Sequence, residues 1–337
     1  MAKRVGVVGL GIMGGAFAEN LVKAGWDVLG FDVDGGRCRA MARLGVKIAP
    51  DAAALARGVP VIITSLPKPA ALDVTVKAIV NARVSRRVIV EASTFTLEDK
   101  SRAERALRKA GHVMLDCPVS GTGTQAKTKD LAIYASGDSR SIRKLRRLFA
   151  AFSRTMHDLG AFGNGSRMKY VANLLVAINN VASAEAIVLG LKAGLDAETV
   201  RAMVSTGAGN SRVFELRAPL MVKNRYDHPS MKVSVWQKDM AVIGAFAREL
   251  GCPTPVFAPK GHIGNLGSGG GLTELAASVL ALQHGLLPGT LNYENPDPAC
   301  PVAVHAGAPR PVTKPHALKV GFTQMGQCAA LVCRKWE

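Results

Sequence analysis

The chain has 337 residues and a formal net charge of +18, from 43 Lys and Arg against 25 Asp and Glu. With 48% hydrophobic and 20% charged residues it can bury a large core, which excludes wholesale disorder, and its length suggests two or three domains of roughly 150 residues each. Aromatic residues make up only 5%, too few for the stacking platforms that hold single-stranded nucleic acid, and the six cysteines form no CxxC pair that would suggest a zinc site or a disulfide framework.

The first predicted element is the β-branched run at the head of "RVGVVGLG". It leads through Gly9, Leu10, Gly11, Ile12, Met13 and Gly14 into a helical stretch that stops at Gly25, and "WDVLGFDVD" then reads as a second strand. The spacing is GxGxxG between strand and helix, with Asp32 at the end of the second strand. In that context Gly9 permits the tight turn, Gly11 lets backbone approach a pyrophosphate, and Gly14 lets helix and strand pack closely. The helix start offers free N–H groups and a positive dipole end to phosphate. Asp32 can accept a ribose hydroxyl and would repel a 2′-phosphate, which favours NAD. Arg37 and Arg39 lie close behind and keep NADP possible.

Further strands are predicted at 59–67, 87–94 and 112–120, separated by helical patterns such as 97–111. Strand–helix alternation implies α/β architecture with a doubly wound parallel sheet, so ligand-facing residues should follow the strand ends: Leu66, Pro67, Thr94, Ser120 and Gly121. The densest basic cluster, "SRSIRKLRRLFAAFSR" at 139–154, has Ile142, Leu145, Leu148 and Phe149 at helical spacing. It reads as one amphipathic helix with a solvated basic face, not as a nucleic-acid surface. The apolar stretch Val171–Leu191 is interrupted by Asn173, Asn179, Asn180 and Glu185, so a buried helix is expected rather than a membrane span. No secretory signal precedes the first strand, and a cytoplasmic protein is expected.

Four motifs in order resemble the β-hydroxyacid dehydrogenase family: "GLGIMGGAFAENLVKAGWDVLGFD" at 9–32, "DCPVSGTGTQAK" at 116–127, "GNGSRMKYVANLL" at 163–175 and "WQKDM" at 236–240. The resemblance spans residues 3–258. It implies an NAD(P)-binding Rossmann domain over 1–162, an all-α domain over 163–258, and a homo-oligomer. The implied substrate is a small β-hydroxyacid such as 3-hydroxyisobutyrate, or 2-hydroxy-3-oxopropionate in the reducing direction. It further implies that Lys169 is the catalytic acid/base and Asn173 its companion. Ser120 and Gly121 would bind the substrate carboxylate, Thr94 would lie near nicotinamide and substrate, and Lys238 would reach the cofactor. Thr122 departs from the usual second glycine of the carboxylate loop.

From residue 259 the chain resembles something else, the C-terminal end of a β-ketoacyl synthase of thiolase-like fold. The matching stretches are "KGHIGNLGSGGGLTELAASVLALQHGLLPGTLN" and "ALKVGFTQMGQCAALVCRKWE". This implies a truncated all-α domain followed by an α+β segment over 259–337, and a link to fatty-acid or polyketide synthesis as an alternative function. A catalytically silent dinucleotide-binding protein is a further alternative. Lys260 falls at the family's lysine, but Asn265 stands where its histidine would be, and Asn cannot exchange a proton as His does. Autonomous ketosynthase activity is therefore not expected.

Overall fold

The computed structural model describes residues 3–225, 233–250, 255–264, 270–296, 302–322 and 328–335. It has two compact units, residues 1–175 with 227–246, and 176–226 with 247–337.

The first unit opens with β1 (Arg4–Val8), α1 (Ile12–Lys23), β2 (Asp27–Phe31), α2 (Gly35–Ala42), β3 (Lys47–Ile48), α3 (Ala52–Gly58), β4 (Val61–Thr64), α4 (Pro69–Asn81), β5 (Val88–Glu91), α5 (Leu97–Lys109) and β6 (Val113–Asp116). The six strands form one parallel sheet in the order β3-β2-β1-β4-β5-β6. Strand order reverses between β1 and β4, the switch point beside which doubly wound sheets bind ligands. Helices cover both faces, so β4 is buried along its whole length. One face packs Val5, Val7 and Phe17 with Phe149 and Phe152, and the other packs Leu55, Ile62, Leu72, Ile89 and Leu107.

Next come β7 (Val119–Ser120), α6 (Gly123–Lys127), β8 (Ala132–Ala135), α7 (Ser139–Lys144), α8 (Arg146–Phe152) and β9 (Thr155–Asp158). Two expectations are corrected here. The single strand predicted at 112–120 is two strands in different sheets. The chain leaves the parallel sheet after Cys117, whose N–H donates to the Glu91 carbonyl, and Pro118 has no N–H to extend the ladder. β7 then pairs antiparallel with β8 in a sheet of order β7-β8-β9. The helix predicted at 139–154 breaks at Leu145, whose backbone (φ −93°, ψ 3°) leaves helical angles. The break lets Ile142 on one helix and Leu148, Phe149 and Phe152 on the other reach one core.

α9 (Asn164–Lys192) begins in the first unit and continues into the second. It is long and apolar enough to cross a membrane by length and composition. The expectation of a buried helix holds for one stripe only. Tyr170, Asn173 and Ile187 are buried, but Val171, Leu174, Leu175 and Leu189 are exposed in the single chain. In the second unit, α10 (Ala197–Thr206) and α11 (Arg212–Val222) close over the distal half of α9 through Ile187, Val200, Phe214 and Ala218. α12 (Val233–Glu249) returns to the first unit over most of its length, where the Phe246 ring lies 5.1 Å from that of Tyr170.

The C-terminal part holds α13 (Lys260–Ile263), α14 (Gly270–His284), β10 (Leu286–Leu287), β11 (Arg310–Pro311), β12 (His316–Phe322) and β13 (Cys328–Arg334). β12 and β13 form an antiparallel pair. The nearly buried carboxylate of Glu274 on α14 lies 2.5 Å from Lys319 Nζ on β12 and 3.5 Å from Lys260 Nζ. Asn265 lies outside the described residues.

Candidate active site

The three glycines of the first loop do different work. Gly9 sits at φ +90°, and a Cβ there would fall 2.2 Å from the Ser65 carbonyl oxygen. A Cβ on Gly14 would fall 1.9 Å from the Gly9 oxygen. Both positions are already filled by protein backbone. At Gly11 a Cβ would approach only Arg37 Nη1, at 3.7 Å, so the space beside this residue is open. α1 also has no side-chain cap at Gly11, whereas Asp34, Asp51 and Thr96 cap α2, α3 and α5. Open space beside uncapped N–H groups at the positive end of a helix fits a pyrophosphate. Ile12 begins the helix with an exposed side chain, Met13 is half-buried, and Leu10 is buried. The Asp32 carboxylate braces the loop from beneath: Oδ2 accepts the Leu10 N–H at 2.7 Å and Oδ1 accepts the Asp34 N–H at 2.9 Å. Arg37 sits 3.5 Å from Asp32 and 3.4 Å from Asp34.

Hydrogen bonds carry this loop toward the rest of the site. Leu66, which precedes the exposed Pro67, donates its N–H to Ser93 Oγ at 2.9 Å. Beside Ser93, the Thr94 carbonyl accepts from Lys238 Nζ at 2.5 Å. Ser120 ends β7. Gly121 follows at φ +134°, where a Cβ would fall 2.4 Å from Leu131 Cδ2, so both conformation and space demand glycine. The departure at Thr122 is absorbed as a helix start, its N–H donating to Gln125 Oε1 at 3.1 Å.

Lys169 lies on the buried stripe of α9, 8% exposed, and Asn173 is one turn further on. Asn173 Nδ2 donates to Asp239 Oδ2 at 2.9 Å, and Asp239 Oδ1 lies 2.8 Å from Lys238 Nζ. The Lys238 ammonium also stands 5.6 Å from the centre of the Phe95 ring. Burial pulls the Lys169 amine down from 10.5 to about 8. Asp239 opposes that fall and Lys238 adds to it. An amine that titrates near neutrality can take a proton when neutral and give one when charged. All these residues belong to the first unit. Asp239 is the member that the sequence marked only by its place beside Lys238.

Comparisons with known proteins bear on the fold and the cofactor class. A family model described as the NAD-binding domain of 6-phosphogluconate dehydrogenase matches residues 4–160, and one described as the NAD-binding domain of NADP-dependent 3-hydroxyisobutyrate dehydrogenase matches residues 163–273. Together the two models span residues 4–273, and over that stretch the chain is similar to the β-hydroxyacid dehydrogenases. Among its relatives, L-threonate dehydrogenase of Cupriavidus necator is 28% identical over 262 residues, covering 77% of this chain and 88% of the relative. The 2-hydroxy-3-oxopropionate reductase of Escherichia coli is 27% identical over 280 residues, covering 82% and 95%. A structure of Mycobacterium tuberculosis 3-hydroxyisobutyrate dehydrogenase with L-serine superposes with a TM-score of 0.67 at 25% identity, covering 82% of this chain and 94% of that one. The chain is an NAD(P)-dependent oxidoreductase. The second family model runs past residue 258, where the motifs end, and neither model extends beyond residue 273.

One further cluster in this dehydrogenase had no sequence signal. Glu91 ends β5, Asp116 ends β6, and Lys100 lies in α5; all three side chains are fully buried. Lys100 Nζ is 2.7 Å from both Glu91 Oε2 and Asp116 Oδ1. Among the described residues, no group of three or more His, Cys, Asp or Glu could hold a metal ion.

Proposed function

We propose that this chain oxidises the hydroxyl of a small β-hydroxyacid, or reduces the matching carbonyl, with NAD as its cofactor and Lys169 as the proton acceptor or donor. The observation that carries this reading is the buried Lys169 amine, brought to about 8 and flanked by Asn173, Asp239 and Lys238. When bound, the nicotinamide supplies the partner for hydride transfer. The chain's own residues do the rest. The Ser120 hydroxyl and the loop backbone at Gly121 would bind the substrate carboxylate. Asn173, held by Asp239, would orient the reacting hydroxyl, and neutral Lys169 would take its proton. Lys238, fixed between Thr94 and Asp239, would close the cofactor side. NAD is favoured because Arg37 is already paired with Asp32 and Asp34, leaving two carboxylates where a 2′-phosphate would have to sit. The exposed apolar residues of α9 support a homo-oligomer in which a second copy covers them.

For residues 259–337 the reading is a β-ketoacyl synthase-like terminus. The likeness of the stretches at 260–292 and 317–337 is what supports it. With Asn265 at the histidine position, no ketosynthase activity is assigned to it.

The test is NAD reduction by a panel of 3-hydroxyisobutyrate, glycerate and 3-hydroxypropionate. Saturable turnover of at least one of them is expected, and it should be lost in Lys169→Ala. Tight NADH binding without turnover of any panel member would instead make the chain a silent dinucleotide-binding protein.

A further inference from the structure

The Lys100 cluster is placed where the site is assembled. Glu91 Oε1 accepts the Ser93 N–H at 2.9 Å, and Ser93 Oγ accepts the Leu66 N–H at 2.9 Å. One end of the cluster therefore holds the loops after β4 and β5, including Thr94, on which Lys238 rests. The other end holds the start of α9. Asp116 Oδ2 accepts the Ser166 N–H at 2.7 Å, and Oδ1 accepts the Ser166 hydroxyl at 2.8 Å. Ser136 Oγ donates to Asp116 Oδ2 at 3.2 Å and accepts the Gly165 N–H at 2.9 Å. The approach is tight: a Cβ on Gly165 would fall 2.3 Å from the Tyr134 oxygen and 2.7 Å from the Asp116 oxygen. Lys169 follows Ser166 by three residues, less than one turn at about 3.6 residues per turn.

A buried charge cluster of this kind is a poor source of stability, since desolvation takes back most of the Coulomb gain. One cation facing two carboxylates also leaves a negative charge inside the protein. That charge is met by the N–H groups and positive dipole end of α9, so the cluster and the helix position each other.

We propose that Lys100 is a positioning residue for the Lys169 site: its ammonium clamps the ends of β5 and β6 together and thereby sets the Ser93–Thr94 loop against the start of α9. This role rests on the functional reading of Lys169 given above. Lys100 touches neither substrate nor cofactor. It acts through Glu91 and Asp116, which hold the elements that carry the reacting groups.

The experiment uses the full chain and two readouts. One is kcat with the best hydroxyacid, beside the Kd for NADH. The other needs no turnover: acylation of the Lys169 amine by acetic anhydride, quantified by mass spectrometry across pH. In Lys100→Met, which keeps the length and removes the charge, kcat should fall by about 100-fold, the effect expected of a displacement near 1 Å. The NADH Kd should change only a few-fold. The Lys169 labelling midpoint should rise from about 8 toward the ordinary lysine value as the amine leaves its buried place. Lys100→Arg should restore part of both. A folded Lys100→Met with wild-type kcat and midpoint would overturn the proposal, and so would lost turnover with an unmoved midpoint. If Lys100→Met does not fold, Glu91→Gln, which keeps the shape and removes one carboxylate charge, carries the test with the same outcomes. Should the wild-type chain turn over no hydroxyacid, the functional reading fails and labelling alone decides the positioning role.

Discussion

Two buried lysines lie near the first turns of α9, and their surroundings drive them in opposite directions. Burial alone would push the Lys100 ammonium down, but the carboxylates of Asp116, hydrogen-bonded to it, and Glu91, ion-paired with it at 2.7 Å, outweigh that and raise it well above the ordinary range. At Lys169 burial wins. The one carboxylate acting on it among the described residues, Asp239, is divided among Lys238, Asn173 and Lys169, and Lys238 adds a repulsion of its own. The fall from 10.5 to about 8 corresponds to about 3 kcal/mol of preference against the ammonium form. Depth of burial is therefore not what separates these two lysines. The count and commitment of the neighbouring carboxylates separate them. A lysine with two dedicated partners stays charged at every working pH and serves as a tie. One with a share in a single partner keeps a proton it can exchange.

The largest test of this contrast is Lys169→Ala. It should lower kcat by about 1,000-fold, within the range seen for loss of a general acid or base, while NADH affinity followed by fluorescence stays within about twofold. A loss below about tenfold would move proton transfer to another group. The next test is directional. Oxidation needs the neutral amine, so its initial rate should climb with pH through about 8 and then level, and the rate of the reverse reaction should fall through the same point. Asp239→Asn removes the influence that holds Lys169 up and should move that midpoint to lower pH. Lys238→Met removes a repelling cation and should move it to higher pH. Shifts of the same sign in both variants would break the account of Lys169. The smallest effect is expected of Ser166→Ala. Asp116 would keep the Ser166 N–H and lose the hydroxyl, so thermal unfolding should show a loss of about 1 kcal/mol and kcat should fall only a few-fold.

The parts of the fold that depend on local pattern were legible in the sequence. The glycine loop, the alternation of strands and helices, and the single long helix over Lys169 and Asn173 follow from spacing within about ten residues. Lys169 and Asn173 could be paired because they are four apart on one helix. Other features depend on what meets what in space. The break at Leu145 is set by a core that both flanking helices share, and the exposed residues of α9 look the same in sequence as buried ones. Glu91, Lys100 and Asp116 are separated by strand and helix, and Lys100 reads as one more charge in "LEDKSRAERALRKAG". Asp239 was visible as a neighbour of Lys238, yet its hold on Asn173 spans 66 positions in the chain.

The start of α9 has a consequence for hydrogen exchange. The first amides of a helix have no carbonyl one turn behind them and ordinarily exchange with solvent early. Here the Gly165 and Ser166 amides are held by Ser136 Oγ and Asp116 Oδ2 inside the protein. Their exchange can proceed only when the junction between β6 and α9 opens, so these two amides should exchange as slowly as the central strands. A pair of backbone protons would then report, without substrate, cofactor or label, whether the lysine helix is seated.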